Sequence, residues 1–276
     1  MKDKSIFQIN LDEIVRSKAG KSKKKIPRFV IRFLSWLIKE DNLNDFLRFN
    51  GHSTGVETMD NAVEYFNVTL ELLHQENIPT TGEKLIFVSN HPLGGLDGIC
   101  LSSVLGGIFD KRIKYLVNDL LYFIDPLKPI FVPVNKHGAQ AKGGVQAIND
   151  AFSGDNQVIT FPAGLCSRKQ NGKIIDTEWK KMFVTKAIEH KRDIVPVYFE
   201  ARNSNFFYNL ANIRKVLKLK FNLEMLLLPR EMFKSKGKTF RIHFGKPVSW
   251  QFFDDSKTHQ AWANWMKEQV YSLKRH

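Results

Sequence analysis

From residue 84 onward, short apolar runs alternate with longer stretches in which apolar residues recur every three or four positions. Runs at 84–89, 113–117, 129–134, 157–161, 193–200 and 239–244 predict strands. Periodic stretches at 97–108, 118–124, 139–152, 179–190, 206–220 and 256–273 predict helices. This alternation predicts an α/β fold with a mixed central sheet flanked by helices. Pro196 interrupts the 193–200 run, which predicts an edge or strand-start position for it. Before residue 84 the pattern is helical. Ile26, Phe29, Val30, Phe33, Leu34 and Leu37 form one helical stripe, with Pro27 suited to the first turn. Arg28, Arg32, Ser35 and Lys39 fall on the opposite face, and Trp36 near the boundary. Val63, Phe66, Leu70 and Leu73 share a face, which predicts a helix over 59–73, followed by a loop over 77–82. No internal repeat or low-complexity linker is visible. The expected division is an N-terminal basic tail with amphipathic helices over 1–83, then one α/β domain over 84–276.

Charge adds a partner to this picture. The net charge is +14. Residues 1–40 carry 11 Lys/Arg against 4 Asp/Glu, and residues 202–241 carry 10 against 2, so these two segments hold the whole basic excess. Their partner is expected to be anionic. The cluster Lys21 to Lys25 reads on its own as a solvated tail. Set before an amphipathic helix, it points to an anionic membrane surface, with Arg28, Phe29, Arg32, Phe33 and Trp36 as the contacting residues. The alternative is an ordinary helix packed on the core. Phe206, Leu210, Ile213 and Leu217 give a second amphipathic stripe among Arg214, Lys215, Lys218 and Lys220, again readable as core-packed or interfacial. The polar start Met1 to Lys4 predicts no signal peptide, and no run of about 18 apolar residues predicts a spanning helix. Cys100 and Cys166 suit neither a disulfide framework nor a zinc site, so no metal and a reducing compartment are expected. With 43% hydrophobic residues, the chain can bury a sizeable core.

The candidate chemistry lies in Ser89-Asn90-His91-Pro92-Leu93-Gly94-Gly95-Leu96-Asp97-Gly98, a Gly-rich turn between a predicted strand and a predicted helix. An imidazole there can take a hydroxyl proton near neutral pH, and a carboxylate on its other nitrogen orients it. As bare local sequence, such a pair six positions apart reads more often as a structural turn. His137, His190 and His243 sit at no ligand spacing and read as structural or surface residues.

Four ordered blocks give His91 and Asp97 more weight. They are Asn90-His91 with Asp97; Pro129-Ile130-Phe131-Val132-Pro133-Val134-Asn135-Lys136; Phe161-Pro162-Ala163-Gly164-Leu165-Cys166-Ser167-Arg168; and Ile194-Val195-Pro196-Val197-Tyr198. Over about 84–202 the chain resembles the PlsC-like glycerolipid acyltransferase (1-acylglycerol-3-phosphate acyltransferase) family. The resemblance implies direct acyl transfer, without a metal, cofactor or acyl-enzyme, from acyl-ACP or acyl-CoA to a lyso-lipid hydroxyl. It makes His91 the general base and Asp97 its orienting partner, and implies substrate contacts at Asn90, Lys136, Gly164, Ser167 and Arg168. Three departures turn the expectation away from a glycerol-phosphate acceptor: five residues between His91 and Asp97 instead of four, Lys136 for Arg, and Ala163 for Glu. The pattern is closer to the hemolysin-like branch, related to enzymes that acylate the 3-hydroxyl of N-(3-hydroxyacyl) glycine or ornithine. Arg168 is the expected grip on such an acceptor's carboxylate.

The expectation is therefore a peripheral O-acyltransferase on the cytoplasmic face of the inner membrane, acting on a lyso amino-acid lipid. Acylation of lysophosphatidic acid is the alternative within the class. A non-enzymatic lipid-binding module and a basic nucleic-acid-binding protein are alternatives from other classes. The +14 charge allows the latter, but there is no zinc-finger, RNP or recognition-helix pattern.

Overall fold

Leu85, Ile86, Phe87, Val88 and Ser89 are all buried, as a strand covered on both faces requires. The computed structural model describes residues 8–13, 27–118, 121, 124–134, 141–218 and 222–275. Its helices are α1 (Arg28–Ile38), α2 (Glu40–Asn50), α3 (Val56–Tyr65), α4 (Leu96–Ile108), α5 (Ala141–Ser153), α6 (Met182–His190), α7 (Asn205–Val216), α8 (Leu228–Phe233) and α9 (His259–Ser272). Its strands are β1 (Thr69–Leu73), β2 (Leu85–Ser89), β3 (Ile113–Val117), β4 (Phe131–Pro133), β5 (Gln157–Thr160), β6 (Arg168–Gln170), β7 (Lys173–Ile175), β8 (Asp193–Glu200) and β9 (Thr239–Phe244).

Seven strands form one mixed sheet in the order β1-β9-β8-β2-β5-β3-β4, and β6 and β7 pair separately as a hairpin. The block β8-β2-β5-β3-β4 is parallel throughout. β9 runs antiparallel to β8 and parallel to β1. The pleat sends alternate residues to opposite layers. Leu85, Phe87, Val195, Val197 and Phe199 face a core with Val56 and Met59 of α3 and Leu101 and Leu105 of α4. Ile86, Val88, Ile194 and Tyr198 face a second core with Phe152 of α5, Phe183 of α6 and Trp262 and Met266 of α9. The five parallel strands all end at one edge of the sheet, where an open α/β fold places its ligand. Among the described residues, no helix is long and apolar enough to cross a membrane.

Several expectations are corrected. The segment 59–73 is not one helix: α3 stops at Tyr65, Asn67 takes φ +47°, and Thr69–Leu73 becomes edge strand β1. With β1 in the sheet and α3 in the main core, residue 83/84 is no boundary in the fold. Most of the helix expected over 118–124 (residues 119, 120, 122 and 123) lies outside the described residues. Pro196 is neither at an edge nor at a strand start, because β8 lies between β2 and β9. It occupies a register step between the pairs Val197–Phe244 and Ile194–Val248, where its carbonyl accepts from Gly245 N at 2.8 Å. A residue without an N–H fits that step. Of the two readings of the second amphipathic stripe, core-packed or interfacial, the core-packed one fails for most of it. Phe207, Tyr208 and Ala211 face inward, while Phe206, Ile213 and Leu217 are exposed.

Arg192 closes the end of the sheet opposite the site. It is fully buried just before β8, and its guanidinium donates to the carbonyls of Phe152 (2.6 Å), Asn156 (2.7 Å), Gly154 (2.5 Å) and Leu85 (3.4 Å). Burial pushes its pKa down to about 10. Arg192→Leu strands these acceptors, each a loss of about 1–3 kcal/mol. We expect equilibrium urea unfolding to show a destabilisation of at least about 3 kcal/mol.

Candidate active site

The turn after β2 is built around the Asp97 side chain. Asp97 stands in the first turn of α4 and is fully buried. Its Oδ2 accepts from the N–H of Leu93 (2.9 Å) and Gly94 (3.3 Å), and its Oδ1 from Gly95 and Gly98 (3.0 Å each). His91 Nδ1 lies 3.0 Å from Oδ2. In this turn Gly94 takes φ +77°. A Cβ there would stand 2.9 Å from Cys166 Cβ and from a Leu228 methyl. Gly98 is needed for space, since any Cβ would collide with the Tyr115 hydroxyl.

This arrangement fixes the chemistry of His91. Burial raises the Asp97 pKa, but His91 and the backbone N–H donors outweigh it, and the carboxyl ends below its usual range. An ionised carboxylate only accepts, so Nδ1 carries the proton and Nε2 keeps a lone pair. Burial alone would lower the His91 pKa. The Asp97 charge and hydrogen bond, with Asp176 behind them, outweigh burial and an opposing Arg168, so it ends above 6.5. Nε2 is therefore a strengthened proton acceptor.

His91 lines a cavity of about 310 Å³ at the carboxyl edge of the parallel strands. Its walls are mainly apolar: Leu116, Val117, Val134, Phe161, Phe183 and Met225 among them. The Phe161 ring lies 4.2 Å from the imidazole, centre to centre. Gly164 lines the cavity at φ +64°, with open space where a Cβ would stand. Cys166 also lines it, but burial pushes its thiol up to about 11. It is protonated at neutral pH and a poor nucleophile.

Other residues expected at the substrate do different work. The Asn90 amide is committed to β8: Nδ2 donates to Phe199 O (3.0 Å), and Phe199 N donates to Oδ1 (2.7 Å). It continues the β2–β8 ladder past Ser89–Val197 and holds the start of the turn. Ser167 Oγ donates to Asp176 at 2.5 Å, and Ser167 N donates to His91 O at 2.7 Å. Arg168 turns away from the cavity. It donates to Cys166 O (2.6 Å) and to Glu224 (2.9 Å), and Glu224 is fully buried and also meets Arg214 at 2.9 Å. Asn90, Ser167 and Arg168 therefore hold the site together from outside the cavity. Lys136 lies outside the described residues, as do Lys21 to Lys25.

The sequence reading missed Asp176. It is 1% exposed, and its carboxylate accepts from His91 N (3.2 and 3.3 Å), Ser167 Oγ and Trp179 Nε1 (2.9 Å). Burial raises its pKa against these donors. Its cue in the sequence is slight: Asp176 is one of two acids, with Glu178, between Ile174-Ile175 and Trp179. Asn203 was also missed; its amide donates to the carbonyls of Pro92 (3.2 Å) and Leu93 (3.4 Å), securing the turn from β8.

α1 and α7 flank a satellite cluster beside the cavity. Leu37 of α1, Phe207 and Leu210 of α7, Leu227, Leu228 and Cys166 pack together there. On the far side, Phe29 (73%), Phe33 (56%), Trp36 (57%), Phe206 (62%) and Val216 (79%) are exposed. Arg28 and Arg32 are exposed beside them, and Arg230 lies 5.3 Å over the Trp36 ring.

A model of the acyltransferase family matches residues 13–276. A lyso-glycine lipid O-acyltransferase of Bacteroides thetaiotaomicron is 50% identical over 99% of this chain and 100% of its own length. One from Phocaeicola vulgatus is 48% identical over 99% and 98%. A solved structure, the 1-acyl-sn-glycerophosphate acyltransferase PlsC of Thermotoga maritima, aligns over 96% of this chain and 88% of that one, with 16% identity and a TM-score of 0.49.

The two carboxylates make separable predictions. The rate should rise with pH as His91 loses its proton, along a limb above the ordinary imidazole value. Asp97 and Asp176 favour the imidazolium, and Arg168 opposes it. Asp176→Asn therefore moves the limb to lower pH. Asp97→Asn moves it further and lowers kcat about a hundredfold or more, because Nδ1 loses its fixed tautomer. A pH–rate profile of each variant is the check. A limb unmoved in Asp176→Asn would show that this carboxylate does not bear on His91.

Proposed function

Because this chain belongs to the acyltransferase family, we propose that it moves a fatty acyl chain from an acyl-carrier thioester, acyl-ACP or acyl-CoA, to the hydroxyl of a lyso amino-acid lipid of the glycine type at a membrane surface. The observation that carries this reading is the His91–Asp97 pair opening into an apolar cavity. Two lyso-glycine lipid O-acyltransferases about half identical over essentially the whole chain support the acceptor.

The reaction follows from the tautomer. His91 Nε2 takes the acceptor's hydroxyl proton as the oxygen attacks the thioester carbonyl carbon. The resulting imidazolium is stabilised by Asp97, which stays ionised. The tetrahedral intermediate expels the carrier's thiolate, which takes the proton back from Nε2. An ester and a free thiol leave, and His91 returns to its starting state. The apolar walls hold the chains and exclude the water that would otherwise hydrolyse the thioester.

α1 and α7 suit the membrane role. Each keeps apolar residues on the satellite cluster and turns others outward. The surrounding segments carry the basic excess, which suits anionic headgroups. Since that cluster includes Cys166 and borders Met225 of the cavity wall, a lipid leaving the bilayer here has a short path to His91.

The test supplies purified full-length chain with acyl-carrier donor and either lyso-glycine lipid or lysophosphatidic acid. We expect acylation of the glycine lipid, abolished in His91→Ala. Acylation of lysophosphatidic acid alone would overturn the acceptor. Replacing Phe29, Phe33 and Trp36 together by Ser should weaken binding to anionic vesicles about tenfold or more. His91→Ala should leave that binding intact, and unchanged vesicle binding by the triple variant would reduce α1 to a cover for the core.

A further inference from the structure

Arg168 was the natural candidate to hold a carboxylate, and Glu224 already holds it. Nearby cations are likewise engaged: Arg214 meets Glu224, and Lys267 Nζ donates to the carbonyls of Asp176 (2.7 Å) and Thr177 (2.9 Å). Among the described residues lining the cavity, one cation remains, Lys180. We propose that Lys180 forms the subsite for the carboxylate of the acceptor headgroup. This rests on the glycine-type acceptor proposed above.

The backbone that carries Lys180 is fixed on several sides. Lys180 N donates to Pro162 O at 3.0 Å, on the turn that ends in Gly164. Its neighbour Trp179 is fully buried, with Nε1 on Asp176 and its carbonyl accepting from Gln260 Nε2 at 2.8 Å. Asp176 in turn holds the His91 N–H. A single carboxylate thus ties the base and the loop of Lys180 together, so the backbone that carries the cation is anchored to that of His91. The side chain itself is 59% exposed, and its Nζ lies 3.0 Å from Glu178, which is 62% exposed. An exposed pair of this kind contributes little, so an incoming carboxylate can take the place of Glu178 at small cost. Met182 and Phe183 continue from Lys180 along the apolar wall. The cavity thus combines an exposed cation, the His91 base and apolar walls, which match the carboxylate, hydroxyl and hydrocarbon of such an acceptor.

The experiment compares lyso-glycine lipid with its methyl ester, identical except that the carboxylate is blocked, in neutral detergent micelles that remove anionic-surface effects. The readout is the ratio of kcat/KM for acid over ester. We expect the wild type to favour the acid about tenfold, the scale of one charge-assisted contact. Lys180→Met should bring the ratio close to one, Lys180→Arg should keep most of it, and Glu178→Gln should raise it. A preference that survives Lys180→Met, or a wild type that never shows one, overturns the subsite. A wild type that acylates neither compound overturns the acceptor reading as well, and is distinguished by the missing activity.

Discussion

Asp97 is buried beyond solvent, and five donors converge on its two oxygens. Four are backbone N–H groups, those of Leu93, Gly94 and Gly95 in the turn and that of Gly98 in α4, the last being one that a helix leaves unpaired at its first turn. The carboxylate thereby settles three things with one charge: the path of the chain after β2, the start of α4, and the proton on Nδ1 of His91. Helix dipole and N–H groups stabilise the anion, so it needs no partner lysine or arginine. The price of burying it is met inside the turn.

Asp176 works from the other side. Asp97 governs the imidazole ring and Asp176 the His91 backbone, along with Ser167 and Trp179. Two buried carboxylates of opposite pKa direction therefore bracket one histidine. A third, Glu224, sits between Arg168 of β6 and Arg214 of α7 and ties that helix to the hairpin β6–β7. Removing either arginine would leave a buried charge partly uncompensated, which is why these arginines serve position before ligand binding.

The sequence made the sheet, its two helical layers and the His91–Asp97 pair legible, because each depends on local periodicity or short spacing. What it hid depends on distant partners. Nothing within the block Ser167-Arg168 announces Glu224, 56 residues on, or the Asp176 carboxylate that takes the Ser167 hydroxyl. Asn90 looked like part of the chemistry because it precedes His91, yet its partner is Phe199 on another strand. β1 was obscured for a different reason: Val63, Phe66, Leu70 and Leu73 keep helical spacing across the point where Asn67 breaks the helix. Pro196 misled because a register step can hide a missing N–H inside a sheet as well as an edge can.

The pairing of β1 with β9 sets an order of events during synthesis. Glu71 reaches Arg241 at 2.8 Å across 170 residues of chain. α3 can join α4 as soon as the first hundred or so residues emerge, but β1 then lacks its partner, since among the described residues β9 is the only strand it pairs with. Loop closure over that separation is slow, and an unpaired strand invites wrong partners while it waits. Its alternating exposed and half-buried residues, with Glu71 at the centre, make it a poor template for other chains. The first strand made is thus placed only after the last one, β9, is available to pair with it.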